Sequence, residues 1–229
     1  EPFTLQDGLQ VRLRVSIDFY TNYGKFQVIV RDIEPAYTLG QLAVRRDEIL
    51  RQLAALSLLH QNRDLPMPWL PLRLALMTSP QGEAVQDFLH GLRRTGIGFQ
   101  VTLFGIRVQG PRLVPDLCAA LDQVAHQPSR FDAVVIIRGG GSRADLAWFD
   151  HIDAALAVAR LPLKVIVGIG HQRDQSVLDI IAHSEKTPTA AAEFLVRCVE
   201  DALASQDHIW SLIQTQAISR LRDASSTLT

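Results

Sequence analysis

Three stretches of this chain bring together residue types that can do chemistry. The first is RGGGS, Arg138 to Ser142, which follows an apolar run and precedes a helical pattern. The consecutive glycines Gly139, Gly140 and Gly141 let a backbone approach a ligand closely and take up positive φ. A helix N-terminus behind such a loop offers N–H groups and the positive end of a dipole, which suits phosphate. Arg138 adds a planar cationic fork. A tight strand-to-helix turn would account for one glycine, but not for three beside an arginine. No GK[ST] follows, so this is not a Walker loop, and it is not GxGxxG. Ser142 and Asp145 have the S-x-x-D spacing of a capping box, and helix capping is the reading favoured for both.

The second stretch is GIGHQRD, Gly168 to Asp174, at the end of another apolar run. Ligands of open α/β sheets bind beyond the carboxyl ends of the strands, and His171 and Asp174 belong to that layer. A histidine there can move a proton near neutral pH. Taken singly, His171 is as well explained as a structural histidine and Asp174 as the cap of a helix starting near Gln175. Asp87 is the third candidate. Its position beside the core residue Phe88 fits a solvated helix face, yet its helix also starts at the carboxyl end of a strand. His171, Asp174 and Asp87 offer imidazole and oxygen to a divalent ion, but no tight acidic cluster of the two-metal kind is present. The glycine, arginine and histidine content fits a phosphate site without metal, so no obligatory cofactor is expected. Ser142 has no evident base, and there is no G-x-S-x-G elbow.

The elements that must hold these residues follow from periodicity. Val11, Leu13, Val15, Ile17 and Phe19 alternate, as do Phe26, Val28 and Val30 after a turn at Asn22–Gly24, which predicts a β-hairpin. Residues 38–60 form an amphipathic helix, and DLPMPWLP, with three prolines, is a linker. Strands and helices then alternate: LRLALMT, a helix capped by Ser79 with Pro80 at its first position and running to about Thr95, FQVTLFGIRVQG, a helix from Leu113 to about His126, AVVIIRGGG, a helix over 143–159, KVIVGIGH, and a short helix over 175–183. Continuous apolar strands alternating with helices imply a parallel sheet covered on both faces. Thr189 to about Arg222 reads as one helix, with Leu195, Val199, Ala202, Ile209 and Ile213 near a heptad seam that Gln206 interrupts. A coiled-coil start and a docked terminal helix both fit that pattern.

The 229 residues suffice for one large domain or two small ones, and 47% hydrophobic against 21% charged is an ordinary globular balance. The net charge of −1, from 23 basic and 24 acidic residues, lacks the basic excess common in nucleic-acid proteins. Any such contact must come from local arginines or from a region outside this chain. Cys118 and Cys198 lie in apolar helical patterns and are expected as buried free thiols, which fits a reducing cytoplasm. No stretch reaches the roughly 18 apolar residues of a membrane span, and no signal peptide is read. The chain starts at Glu1, near a strand and without methionine, and is read as a fragment.

RGGGSRADLAWFD, GIGHQRD and TPTAAAE, in this order and with MTSPQGEAVQDFL, the strand ending in VQG and GKFQVIVRDIEP beside them, resemble the large subunit of exodeoxyribonuclease VII. The resemblance covers about residues 11–200 and rests on the ordered set rather than on any one piece. It implies hydrolysis of single-stranded DNA from either end to short oligonucleotides, without an obligatory metal. It implies catalytic roles for Asp87, Arg138, His171 and Asp174, with phosphate held by Gly139, Gly140, Gly141 and Ser142. It also implies an N-terminal OB-fold for DNA and a C-terminal coiled coil that carries the small subunit. On that basis residues 1–36 are the last hairpin of an OB-fold, 37–71 a helix and linker, 72–188 a Rossmann-like α/β catalytic domain, and 189–229 the long helix that starts the coiled coil. This chain departs from the family pattern at Gln172 and Arg173, where an acidic residue and threonine are usual, and at Arg143 and Ala144, where leucine and glutamate are usual. Both changes make the rim more basic. A non-catalytic phosphate- or DNA-binding relative, or a scaffold, is the alternative.

Overall fold

The alternating residues at the start do pair. β1 (Arg12–Tyr20) and β2 (Lys25–Glu34) form an antiparallel ladder in which Leu13, Val15, Ile17 and Phe19 face Ile33, Val30, Val28 and Phe26. The ladder slips between Arg14 and Val15, and the Phe19 and Phe26 rings stand 4.9 Å apart. This apolar row is exposed, with Ile17 at 72% and Phe26 at 77%. The computed structural model describes residues 11–20, 25–140, 146–170 and 175–226, and within these the side chains of 20, 34–41 and 221–226 are left aside.

Helix α1 (Pro35–Ala55) follows directly. It stops five residues before the end that its periodicity predicts. Ser57 takes φ of 58°, the Ser57 N–H donates to Ala54 O, and the Leu58 N–H donates to Leu53 O. These are the two bonds of a Schellman stop. The motif usually uses glycine, so a serine there gave no warning. The proline-rich segment beyond is fastened to the main sheet. Buried Asn62 donates to Leu161 O (3.3 Å) and Leu163 O (2.8 Å) and accepts from the Val165 N–H (3.0 Å). Lys164 Nζ donates to the carbonyls of Arg63 and Leu65.

The main sheet is parallel, in the order β4 (Gln100–Gly105), β3 (Arg73–Thr78), β5 (Ala133–Ile137), β6 (Lys164–Gly168), β7 (His183–Ser184). Its inner strands alternate between two cores, because successive side chains leave opposite faces of a strand. Ala75, Met77, Val134, Ile136, Val165 and Val167 pack under α1, α3 (Leu113–His126), α4 (Ile152–Ala159) and α5 (Val177–Ile181). Leu74, Leu76, Val135, Ile137 and Ile166 pack under α2 (Glu83–Arg93) and the first part of α6 (Pro188–Ser226). The expected α/β fold is therefore present: a parallel sheet covered on both faces, a hairpin before it and a long helix after it. The two-residue strand β7, HS, is too short and polar to announce itself. Cys118 and Cys198 are free, but half-buried rather than buried.

Other helix boundaries differ from expectation as well. Ser79 does not cap α2: residues 79–82 form a turn closed by the Gly82 N–H on Ser79 O, and the helix starts at Glu83 behind Gly82 with no side-chain cap. The continuous helix expected over 143–159 is broken. A 3-10 turn, Ala147–Phe149, ends at Asp150, and His151 takes an extended backbone and caps α4 by accepting from the Asp153 N–H. At the break, buried Asp150 accepts the Val177 N–H (2.6 Å). Ser176 caps α5 with a full capping box through Asp179, so the cap offered to Asp174 by its spacing belongs to another residue.

α2 and α6 lie so close that a Cβ on Gly91 would stand 2.9 Å from the Ala192 Cβ. Overpacking such a contact costs about 1–3 kcal/mol. Gly91→Val therefore lowers the unfolding free energy by that amount, read as a lower urea midpoint at unchanged slope, and adding Ala192→Gly recovers part of it. Burial pushes the Asp150 carboxyl from 3.8 up to about 6; the Val177 N–H, Arg46 and Arg45 oppose the rise and Asp179 adds to it. A folded-state pKa raised this far makes the charged form cost roughly 3 kcal/mol above pH 6, a cost that fades as the pH falls from 6 towards 4. Asp150→Asn keeps the acceptor oxygen and removes the charge. In thermal unfolding it melts above the parent by several degrees at pH 7.5, and the gap narrows between pH 6 and pH 4.

Candidate functional site at the carboxyl rim

The chain leaves β3 for β4 on one side and later returns to β5 on the other. The order reverses between β3 and β5, and the crevice beyond their carboxyl ends is where such sheets bind ligands. The loops after β3 and β5 flank that crevice. They touch: a Cβ on Gly139 would meet the Ala84 Cβ and the Ala84 N, each at 3.7 Å. The glycine loop thus crosses the first turn of α2, whose N-cap residue, Gly82, brings no capping side chain. The helix end beside the described glycines is that of α2, an addition to the reading of RGGGS, which looked only to the helix behind the loop.

Arg138 stands at the foot of the loop. It is only 6% exposed, and its N–H donates to Gly168 O at 3.3 Å. A guanidinium keeps its charge at any working pH, so the rim carries a fixed buried cation. Gly140 is exposed beyond it. Ile137 pairs with Gly168, so the loops that follow β5 and β6 leave neighbouring strands, about 4.8 Å apart. Gly141, Ser142, Asp145, His171 and Asp174 lie outside the described residues. Their flanks do not: Gly170 leaves the end of β6, and Gln175 leads into the cap of α5.

Asp87 is exposed on α2, about 6 Å along the helix axis from its start. It lines one end of a groove of about 450 Å³ between α2 and α6, with His90, Arg94, Glu193 and Arg197 further along. The structure places it at the head of this groove, one turn into the helix that starts at the rim. The sequence reading missed the start of α6 as part of the same rim. A Cβ on Gly168 would stand 3.0 Å from Thr187 O. The Ala190 N–H donates to Thr187 Oγ1 at 3.0 Å, so Thr187 caps α6, with Pro188 in its first turn. The T-P pair at a helix start was the available signal. Among the described residues no group of three or more histidine, cysteine or acidic side chains is arranged to hold a metal ion. None of the described helices is long and apolar enough to cross a membrane.

Residues 58–229 match the family model described as exonuclease VII, large subunit. The chain is 34% identical over 211 residues to the exodeoxyribonuclease 7 large subunit of Shouchella clausii, covering 92% of this chain and 45% of that protein. It is 34% identical over 228 residues to the protein of the same name from Deinococcus radiodurans, covering 96% and 54%, and 33% identical over 236 residues to that of Lacticaseibacillus casei, covering 99% and 52%. The chain thus spans about half the length of these curated relatives. A family match across most of the sequence, on a fold that sets the glycine loop at the switch point of its sheet, places this chain in the exonuclease VII large subunit family.

Proposed function

We propose that this chain is the catalytic part of an exonuclease that hydrolyses phosphodiester bonds of single-stranded DNA to short oligonucleotides. The observation that carries the reading is the packing of the glycine loop over the start of α2 behind Gly82, with Arg138 buried at its foot. Backbone N–H groups and a helix dipole favour an anion at that point. In this mechanism the scissile phosphate rests on the amides of Gly139 to Ser142, and Arg138 stabilises charge that grows in the pentavalent transition state. His171 moves the proton as general acid or base, and Asp174 orients it or, with Asp87, positions the attacking water. No cofactor is obligatory in this mechanism.

Two partners follow. Single-stranded DNA is the substrate, held in part by an OB-fold of which β1 and β2 are the last hairpin; their open apolar row supports a larger sheet. The small subunit binds α6 through a coiled coil. Beyond Ala202 the helix carries exposed Leu203, Ile209, Trp210, Leu212, Ile213 and Ile218, an apolar surface that supports a helical partner.

The test uses the full-length chain with its small subunit and end-labelled single-stranded and duplex DNA in excess EDTA. Short oligonucleotides from the single strand alone are expected. His171→Ala and Arg138→Ala each lower the rate by about 10²–10⁴-fold. An unchanged rate in His171→Ala removes that residue from the mechanism. Cleavage only with magnesium overturns the metal-free site, and no cleavage under either condition leaves a DNA-binding or scaffold relative.

A further inference from the structure

The buried polar groups beside α5 serve none of the steps above, yet they gather at the exits of both rim loops. The chain leaving the glycine loop passes through Leu146 and the 3-10 turn to Asp150. The chain leaving the GIGHQRD loop re-enters the described fold at Gln175 and reaches Val177 two residues later. Asp150 Oδ1 accepts the Val177 N–H at 2.6 Å and so ties one exit to the other. From a third direction, Arg46 Nη1 on α1 donates to the Gln175 carbonyl at 2.9 Å, 129 residues away in sequence. Asp179 completes the set: it accepts from the Ser176 N–H and hydroxyl and, on its other oxygen, from the Ser184 hydroxyl. A surface loop needs none of this, and desolvated carboxylates cost free energy unless their bonds are made.

We infer that Asp150 and Arg46 are positioning residues: they form a clasp that fixes the exits of the two rim loops relative to each other and to α1, the helix that carries the N-terminal hairpin. The inference rests on the proposed role of those loops in phosphodiester hydrolysis. Neither residue touches substrate in it. Asp150 sets the spacing between the glycine loop and the loop of His171 and Asp174, and Arg46 links that spacing to the side of the molecule where β1 and β2 attach. Charged groups facing Asp150 are Arg46 and Arg45 on α1 and Asp179 on α5.

The experiment uses the full-length chain with its small subunit. It reads kcat and KM on labelled single-stranded DNA, and hydrogen exchange in the peptide covering residues 169–178. Because a misplacement of about 1 Å can cost roughly 100-fold, Asp150→Ala is expected to lower kcat by roughly 10- to 100-fold, with KM within about two-fold and faster exchange in that peptide. Asp150→Asn, which keeps the acceptor oxygen, is expected to restore kcat and protection. Arg46→Met, a change on the partly exposed face of α1, is expected to move kcat and exchange in the same direction, and it decides the question if Asp150→Ala does not fold. Parental kcat and exchange in Asp150→Ala or in Arg46→Met, or an asparagine variant as slow as the alanine one, overturns the clasp. A parent that cleaves no strand overturns the nuclease reading instead, and the exchange measurements then decide the clasp alone.

Discussion

The inner strands of the sheet, β3, β5 and β6, have no solvated face, and most of the molecule follows from that. Strands such as AVVII and KVIVG bury every residue, so each side chain that points up or down must find a helix. α3, α4, α5 and the end of α1 supply one face. On the other, α2 alone cannot cover β3, β5 and β6, and α6 must lie beside it. Two helices that share so narrow a face have to approach closely, and Gly91 against Ala192 is where they do. The same requirement brings the start of α6 up to the end of β6, where Gly168 admits the carbonyl of Thr187. The covering of the core and the assembly of the rim are thus one act of packing.

Within that frame buried and half-buried charges mark where the rim is held. Arg138 is a fixed cation at the foot of the glycine loop. Asp150, Asp179 and Arg46 are spent on main-chain and hydroxyl partners just behind the neighbouring loop. Burial of a carboxylate in this way is unfavourable by itself, as the rise of Asp150 to about 6 shows, and what it secures is geometry. Asn62 and Lys164 do the same at the opposite end of the sheet, where they fasten the proline-rich segment to the start of β6.

Much of this was legible in the residues. Four of the five strands of the main sheet carry apolar runs that periodicity finds, and α3 has the predicted limits, Leu113–His126. RGGGS and GIGHQRD were visible as strand-exit loops because glycine after an apolar run has few other uses. What escaped were features decided across the fold. The stop of α1 uses serine where glycine is customary, so nothing local marks it. The break at Asp150 coincides with a bond to a backbone N–H 27 residues away, which no local pattern announces. β7 is an edge of two polar residues whose pairing is with β6, not with its own neighbours. Asp87 fits a solvated helix position from sequence, and only the arrival of α6 beside it makes a groove.

α6 also divides the chain into two regimes of evolutionary freedom. Each residue inserted into a helix turns everything beyond it by about 100°. Added between Thr187 and Ala202, one residue would swing Ala192 away from Gly91 or Leu195 and Val199 out of the core, and the rim would lose its place. Beyond Ala202 the described helix touches nothing that must keep phase with the sheet, and its side chains are exposed through Arg220. Register there answers only to what packs alongside, so one continuous helix joins a part phased by the sheet to a part phased independently of it.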